Sequence, residues 1–101
     1  MGIDYTVDEG QDAARTVALN IIAQVKAACD GDLDRVVQCI KLGGFVNCPD
    51  NFHQQPQVIN GASDLMVDVF GDAGRHSRFA VGAPALPFNV AVEIDAVFEV
   101  R

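Results

Sequence analysis

NVAVEIDAVFEV, residues 89–100, decides the fold. Val90, Val92, Ile94, Ala96, Phe98 and Val100 fall on one side of an extended chain, while Ala91, Glu93, Asp95, Val97 and Glu99 fall on the other. A period of two is the mark of a strand with one face on a core. Just upstream, Ala83, Pro84 and Leu86-Pro87 break the pattern. Proline has no N–H to give a ladder, so these residues predict a loop that returns the chain antiparallel to the run before it. That earlier run, Arg78 to Gly82, predicts a second strand.

Further out the period lengthens to three and four. Between Phe52 and Phe70, the residues Val58, Ile59, Ala62, Leu65, Met66, Val69 and Phe70 share one helical stripe. Pro56 suits the first turn of that helix, and GDAG at 71–74 ends it. Cys48, Pro49, Asp50 and Asn51 make the turn before it. LDRVVQCIKLGGFVN, residues 33–47, interleaves Val36, Val37, Ile40, Leu42, Phe45 and Val46 with polar residues and predicts a strand. Its Gly43-Gly44 pair predicts either a bulge or the close approach of another group to the backbone.

TVDEGQDAARTVALNIIAQVKAAC, residues 6–29, opens with Thr6 and Glu9 at the spacing of a capping box, so a helix begins near Val7. Ala14, Val17, Ala18, Ile21, Ile22, Val25 and Ala28 form its buried stripe, away from Asp12, Arg15, Gln24 and Lys26. Gly31 stops it, and Asp32 starts a connection of a few residues. The order is helix, strand, helix, strand, strand. A two-layer α/β plan of the α+β kind follows, with both helices on one face of a sheet. Three strands are little sheet for two helices of about five turns each. A further strand or a neighbouring subunit is therefore expected.

At 101 residues the chain makes one domain, 1–101, whose core alone gives moderate stability. It is 50% apolar and 21% charged, the profile of a folded chain. Fourteen acidic residues against seven basic give a net charge of −7, a field that repels phosphate backbones and argues against nucleic acid as a main partner. Cys29, Cys39 and Cys48 form an odd set without CxxC spacing, and His53 and His76 complete no zinc pattern, so free thiols and no metal are expected. No apolar run approaches the ~18 residues of a membrane span, and MGIDYTVDEGQ has no signal-peptide character, so the default location is cytoplasmic. GxGxxG, Walker, GxSxG and HExxH patterns do not occur, and nothing calls for a cofactor.

SRFAVGAPALPFNVAVEIDAVFEV, residues 77–100, resembles the C-terminal signature of the YjgF/RidA family through Arg78, Leu86, Pro87, Glu93, Ile94 and Ala96. AARTVALNIIAQVKAA, DLDRVVQCIKLGGFVN and FHQQPQVINGASDLMVDVFG are similar to that family's first helix, third strand and second helix, in order. The resemblance implies a chorismate-mutase-like fold, a homotrimer with clefts at subunit boundaries, and hydrolysis of enamine or imine intermediates to 2-keto acids and ammonia without a cofactor. Two departures stand out. The family's first two strands, with a Ser-Gly pair and an aromatic, have no counterpart before residue 6, and Tyr5 does not sit where that aromatic would. Ala80 stands where many deaminating members carry cysteine.

Arg78 has a guanidinium that can grip a carboxylate with two parallel hydrogen bonds, or form an ordinary ion pair with a nearby Asp or Glu. Glu93 either faces a subunit boundary, where desolvation would suit it to activating water, or is a solvated surface carboxylate. The resemblance assigns Asn60 to the cleft lining; a helix-surface asparagine is the alternative. It also places Gly43, Gly44 and Phe45 at the pocket border. The leading function is deamination of small 2-imino acids, with Arg78 and Glu93 catalytic and Arg78, Asn60, Gly44 and Phe45 binding substrate. The rivals are a non-catalytic trimer that binds small carboxylates and the endoribonuclease or translation-inhibitor activity of the family's older label.

Overall fold

The computed structural model describes residues 6–49 and 51–101, so Tyr5 and Asp50 lie outside it. Helix α1 spans Val7–Ala28 and helix α2 Gln55–Phe70. Strands β1, β2 and β3 span Val36–Asn47, Ser77–Ala83 and Val92–Val100. Short 3-10 turns at Leu33–Arg35, Gly71–Gly74 and Pro87–Asn89 join them.

The capping box forms as its spacing predicts. The Glu9 amide donates to Thr6 Oγ1 at 3.1 Å, and the Thr6 amide donates to Glu9 Oε1 at 3.0 Å, satisfying two amides that the first turn leaves free. At the other end Asp30 and Gly31 both take positive φ, 56° and 89°, and the chain reverses. Pro56 sits in the first turn of α2, where its missing N–H costs nothing. Gly71, with φ 61°, follows the last turn.

The sheet order is β2-β1-β3. β2 runs parallel to β1, joined to it by the α2 crossover, and β3 runs antiparallel to β1. The proline loop thus reverses the chain as expected, yet β2 and β3 do not pair, because β1 lies between them. β3 also starts later than its alternation predicts. Residues 87–90 instead make a tight turn, with Phe88 at φ 58° and the Val90 amide donating to the Pro87 carbonyl, so the ladder resumes only at Val92.

The expected bulge at Gly43-Gly44 is absent. Register against β3 shifts between Val36 and Gln38 and again between Cys39 and Lys41, while both glycines keep regular pairing. The close-approach alternative holds instead. A Cβ on Gly43 would lie 2.6 Å from the Phe79 ring, and one on Gly44 would lie 2.6 Å from the Ile59 side chain. Glycine is needed on one face for an aromatic and on the other for the helix layer.

Both helices cover one sheet face. Ala14, Ala18 and Ile22 of α1 meet Val58, Ile59, Ala62, Leu65 and Met66 of α2 over Cys39, Leu42 and Val46 of β1 and Val92 of β3. Central β1 supplies most of the sheet's buried part of this core. The other face carries Lys41 and Phe45 of β1, Phe79 and Val81 of β2, and Glu93, Asp95 and Val97 of β3, and among the described residues no element packs over it. Phe45 and Phe79 meet edge to face at 5.4 Å there, while Val81 and Val97 remain 43% and 53% exposed.

Candidate functional site

Alternation along β2 sends Arg78, Ala80 and Gly82 to the helix side and Phe79 and Val81 to the open side. Ala80 and Gly82 are small enough to fit beneath α2. Arg78, one residue into the strand, is too long for that, and its guanidinium reaches α2 itself. Nη1 donates to Ser63 Oγ at 3.1 Å and Nη2 donates to the Pro56 carbonyl at 3.4 Å. Among the described residues no carboxylate pairs with it.

Ser63 is shared. Its Oγ lies 2.9 Å from His76 Nε2, and His76 Nδ1 lies 2.6 Å from the Gly74 carbonyl. A carbonyl only accepts, so Nδ1 carries hydrogen; in the neutral ring Nε2 is then the acceptor and Ser63 the donor. The result is one directed chain of hydrogen bonds, from Arg78 to Ser63 to His76 to Gly74. The strand holds Arg78, the 3-10 turn after α2 holds His76 through Gly74, and α2 holds Ser63 between them. Gly74 packs against the Met66 and Val67 backbone so tightly that a Cβ has no room, which fixes the turn that aims the imidazole.

These groups line an open recess of about 260 Å³, together with Asn60, Asp64, Val67 and Arg75. The volume suits a metabolite of a few heavy atoms rather than a large ligand. Two guanidiniums and an imidazole against one carboxylate make it locally basic in a protein of charge −7. Arg75 is paired with exposed Asp72 at 3.3 Å, a surface pair of small energetic weight.

The residues singled out in sequence therefore separate. Arg78 and Asn60 share the recess. Gly44 is buried under Ile59 in the core, away from it. Phe45 and Glu93 are register partners on the opposite, open face, where Glu93 is exposed. Within one chain, then, Arg78 and Glu93 stand two strands apart on opposite sides of the sheet. Ser63 and His76 are the polar groups that sequence reasoning missed. The available signal was their spacing: Ser63 is three residues from Asn60 on α2, and His76 is two residues before Arg78 on an extended segment, so each shares its neighbour's side. The three cysteines are free and buried, and among the described residues no group of three potential ligands could hold a metal ion.

A two-layer sheet with both helices on one face and a parallel β1-α2-β2 unit defines the class of protein, and comparison with known sequences gives the family. Residues 1–99 match the family described as "YjgF/chorismate_mutase-like, putative endoribonuclease", to which this chain belongs. It is 52% identical over 102 aligned residues to protein TCP17 of Trypanosoma cruzi, covering all of this chain and 63% of that one. The structure of Atu1372, a protein of unknown function from Agrobacterium tumefaciens, superposes with a TM-score of 0.98 at 51% identity over 100% of this chain and 65% of that one. A protein described as a putative endoribonuclease from Shewanella oneidensis gives 0.93 at 42% identity, over 98% of this chain and 65% of its own. The chain thus spans just under two thirds of the length of these relatives. Among its described residues no helix is long and apolar enough to cross a membrane.

Proposed function

We propose that this chain hydrolyses small 2-imino acids, or the enamines in equilibrium with them, to 2-keto acids and ammonia, with Arg78 holding the substrate carboxylate. One observation carries the reading: a guanidinium with no carboxylate partner among the described residues, held by Ser63 and Pro56 and lining a small basic recess that also offers Asn60. Such a fork is preorganised for a planar carboxylate, and ordering it in advance lowers the entropy lost on binding. The reaction needs only positioning and electrostatics around a water and an imine carbon, which no cofactor must supply.

The uncovered sheet face, with Phe45, Phe79, Val81 and Val97, supports a homotrimer in which copies cover one another's apolar surface. Glu93 lies on that same face, so its role belongs to the subunit boundary rather than to the recess of its own chain.

The test is release of ammonia from freshly generated 2-iminobutyrate, parent against Arg78→Ala. The parent is expected to accelerate release and the variant to lose at least about 10²-fold in kcat/KM, as expected when a charged anchor is removed. Arg78→Lys keeps the charge without the fork and should recover part of the affinity only. Equal rates with and without protein would end the deaminase reading. RNA cleavage by the same preparation, strongest at low salt, would favour the family's endoribonuclease label instead.

A further inference from the structure

We propose that Ser63 and His76 form the proton relay of the recess, with His76 as the base that takes a proton from the attacking water through the Ser63 hydroxyl. The proposal rests on the imine-hydrolysis reading and deepens it by naming the group that moves protons. Three features point to this pair. His76 Nδ1 is committed to the Gly74 carbonyl at 2.6 Å, which leaves Nε2 as the basic nitrogen and aims it at Ser63 Oγ, 2.9 Å away. Arg78 donates to the same Oγ at 3.1 Å, which draws electron density from the hydroxyl and makes its proton easier to pass on. The guanidinium that would grip the substrate carboxylate therefore touches the hydroxyl that would handle the water, and both line one recess. The arrangement is that of an activated hydroxyl, with the base in turn oriented by a third group.

The alternatives within the chain fit less well. Glu93 is on the other face of the sheet. Asp64 lines the recess but is exposed, and among the described residues no hydrogen bond joins it to Ser63 or Arg78. Arg75 and Arg78 are cations and cannot accept a proton.

The steps balance. Water oxygen forms a bond to the imine carbon as the C=N electron pair moves to nitrogen. The substrate reacts as its iminium ion, so its nitrogen becomes a neutral amine on receiving the pair, while the water proton goes to Ser63 Oγ and the Ser63 proton goes to His76 Nε2. The protonated His76 then returns its proton to the carbinolamine nitrogen, the C–N bond breaks as the hydroxyl becomes a carbonyl, and the hydroxyl proton goes to the departing ammonia, so that 2-keto acid and ammonium leave. Nothing is oxidised or reduced.

The decisive comparison uses the full chain and two readouts, kcat for 2-iminobutyrate hydrolysis and calorimetric affinity for unreactive 2-ketobutyrate, in the parent, His76→Gln, Ser63→Ala and Ser63→Thr. Glutamine accepts the Ser63 hydrogen bond but cannot take its proton. A relay predicts that His76→Gln and Ser63→Ala each lose about 10²–10³-fold in kcat. Both should hold 2-ketobutyrate within about tenfold of the parent, with Ser63→Thr, which keeps the hydroxyl, recovering part of the kcat that Ser63→Ala loses. Parent-like kcat in either of the first two overturns the relay while leaving the deaminase reading intact. Parallel loss of kcat and affinity also overturns it, since the pair would then only prop Arg78 in place. A parent that releases no ammonia overturns the functional reading itself and the relay with it.

Discussion

At the scale of single residues, the side chains that matter are those whose polar atoms have been given one task. Arg78 is the clearest: the β2 period puts it under α2, and the Pro56 carbonyl and Ser63 hydroxyl fix its fork. Cys39 illustrates the opposite case, a titratable group held silent. Burial pushes its thiol above its ordinary 9.0, and a backbone hydrogen bond at Lys41 only partly opposes this. The folded chain thus keeps a proton that the unfolded chain releases as pH rises past 9.0, so this site contributes stability below that pH and loses it above. Thermal melts should show a larger fall in Tm between about pH 8 and 10 for the parent than for Cys39→Ala. Equal slopes would mean that the thiol titrates alike in both states.

At the scale of elements, the ends and crossings of the helices set the geometry. Removing the Thr6 hydroxyl leaves the Glu9 amide without its partner, and Thr6→Ala should cost about 1 kcal/mol, or about 4–8 °C in Tm for a domain of this size, by differential scanning calorimetry. The crossing of α1 and α2 depends on Gly61, where a Cβ would run into the backbone of Gln11, and it is clamped nearby by Gln11 Nε2 donating to the Gln57 carbonyl at 2.7 Å. Alanine at position 61 gains about 1 kcal/mol of helix propensity. It also forces two backbones apart, an overpacking cost of about 1–3 kcal/mol that no rotamer change can relieve. A net loss of stability is expected for Gly61→Ala, with Asn60 and Ser63 on the same helix displaced; a stabilised variant would show that the crossing relaxes freely.

At the scale of the whole molecule, the two sheet faces have different fates. One is closed by the helices, while the other presents Phe45, Phe79, Val81 and Val97 beside Glu93 and Asp95, with no element of the described residues over it. Sedimentation equilibrium is expected to give three chain masses, and Val81→Asp, which puts a charge into that surface, should shift the mass toward one. A parent that runs as a monomer would remove the trimer and leave Glu93 as a solvated surface carboxylate.

The residues of this chain determine its elements through local physics. Periods of two and between three and four, a capping box at Thr6 and Glu9, and glycines and prolines at the breaks place every helix and strand to within a few residues. The tail that carries the family resemblance, around Arg78 and Glu93, is legible for the same reason, since it is one continuous stretch of sequence. What the residues do not express locally is which elements become neighbours. Only the tertiary structure inserts β1 between β2 and β3, because a crossover helix needs parallel strands side by side and the proline loop is long enough to pass over β1. That insertion decides the site. It sets Arg78 and Glu93 on opposite sides of one sheet and joins Ser63 and His76, thirteen residues apart, into a hydrogen-bonded pair. Side-chain chemistry is written residue by residue, but a site is a meeting of distant residues, and packing alone arranges that meeting.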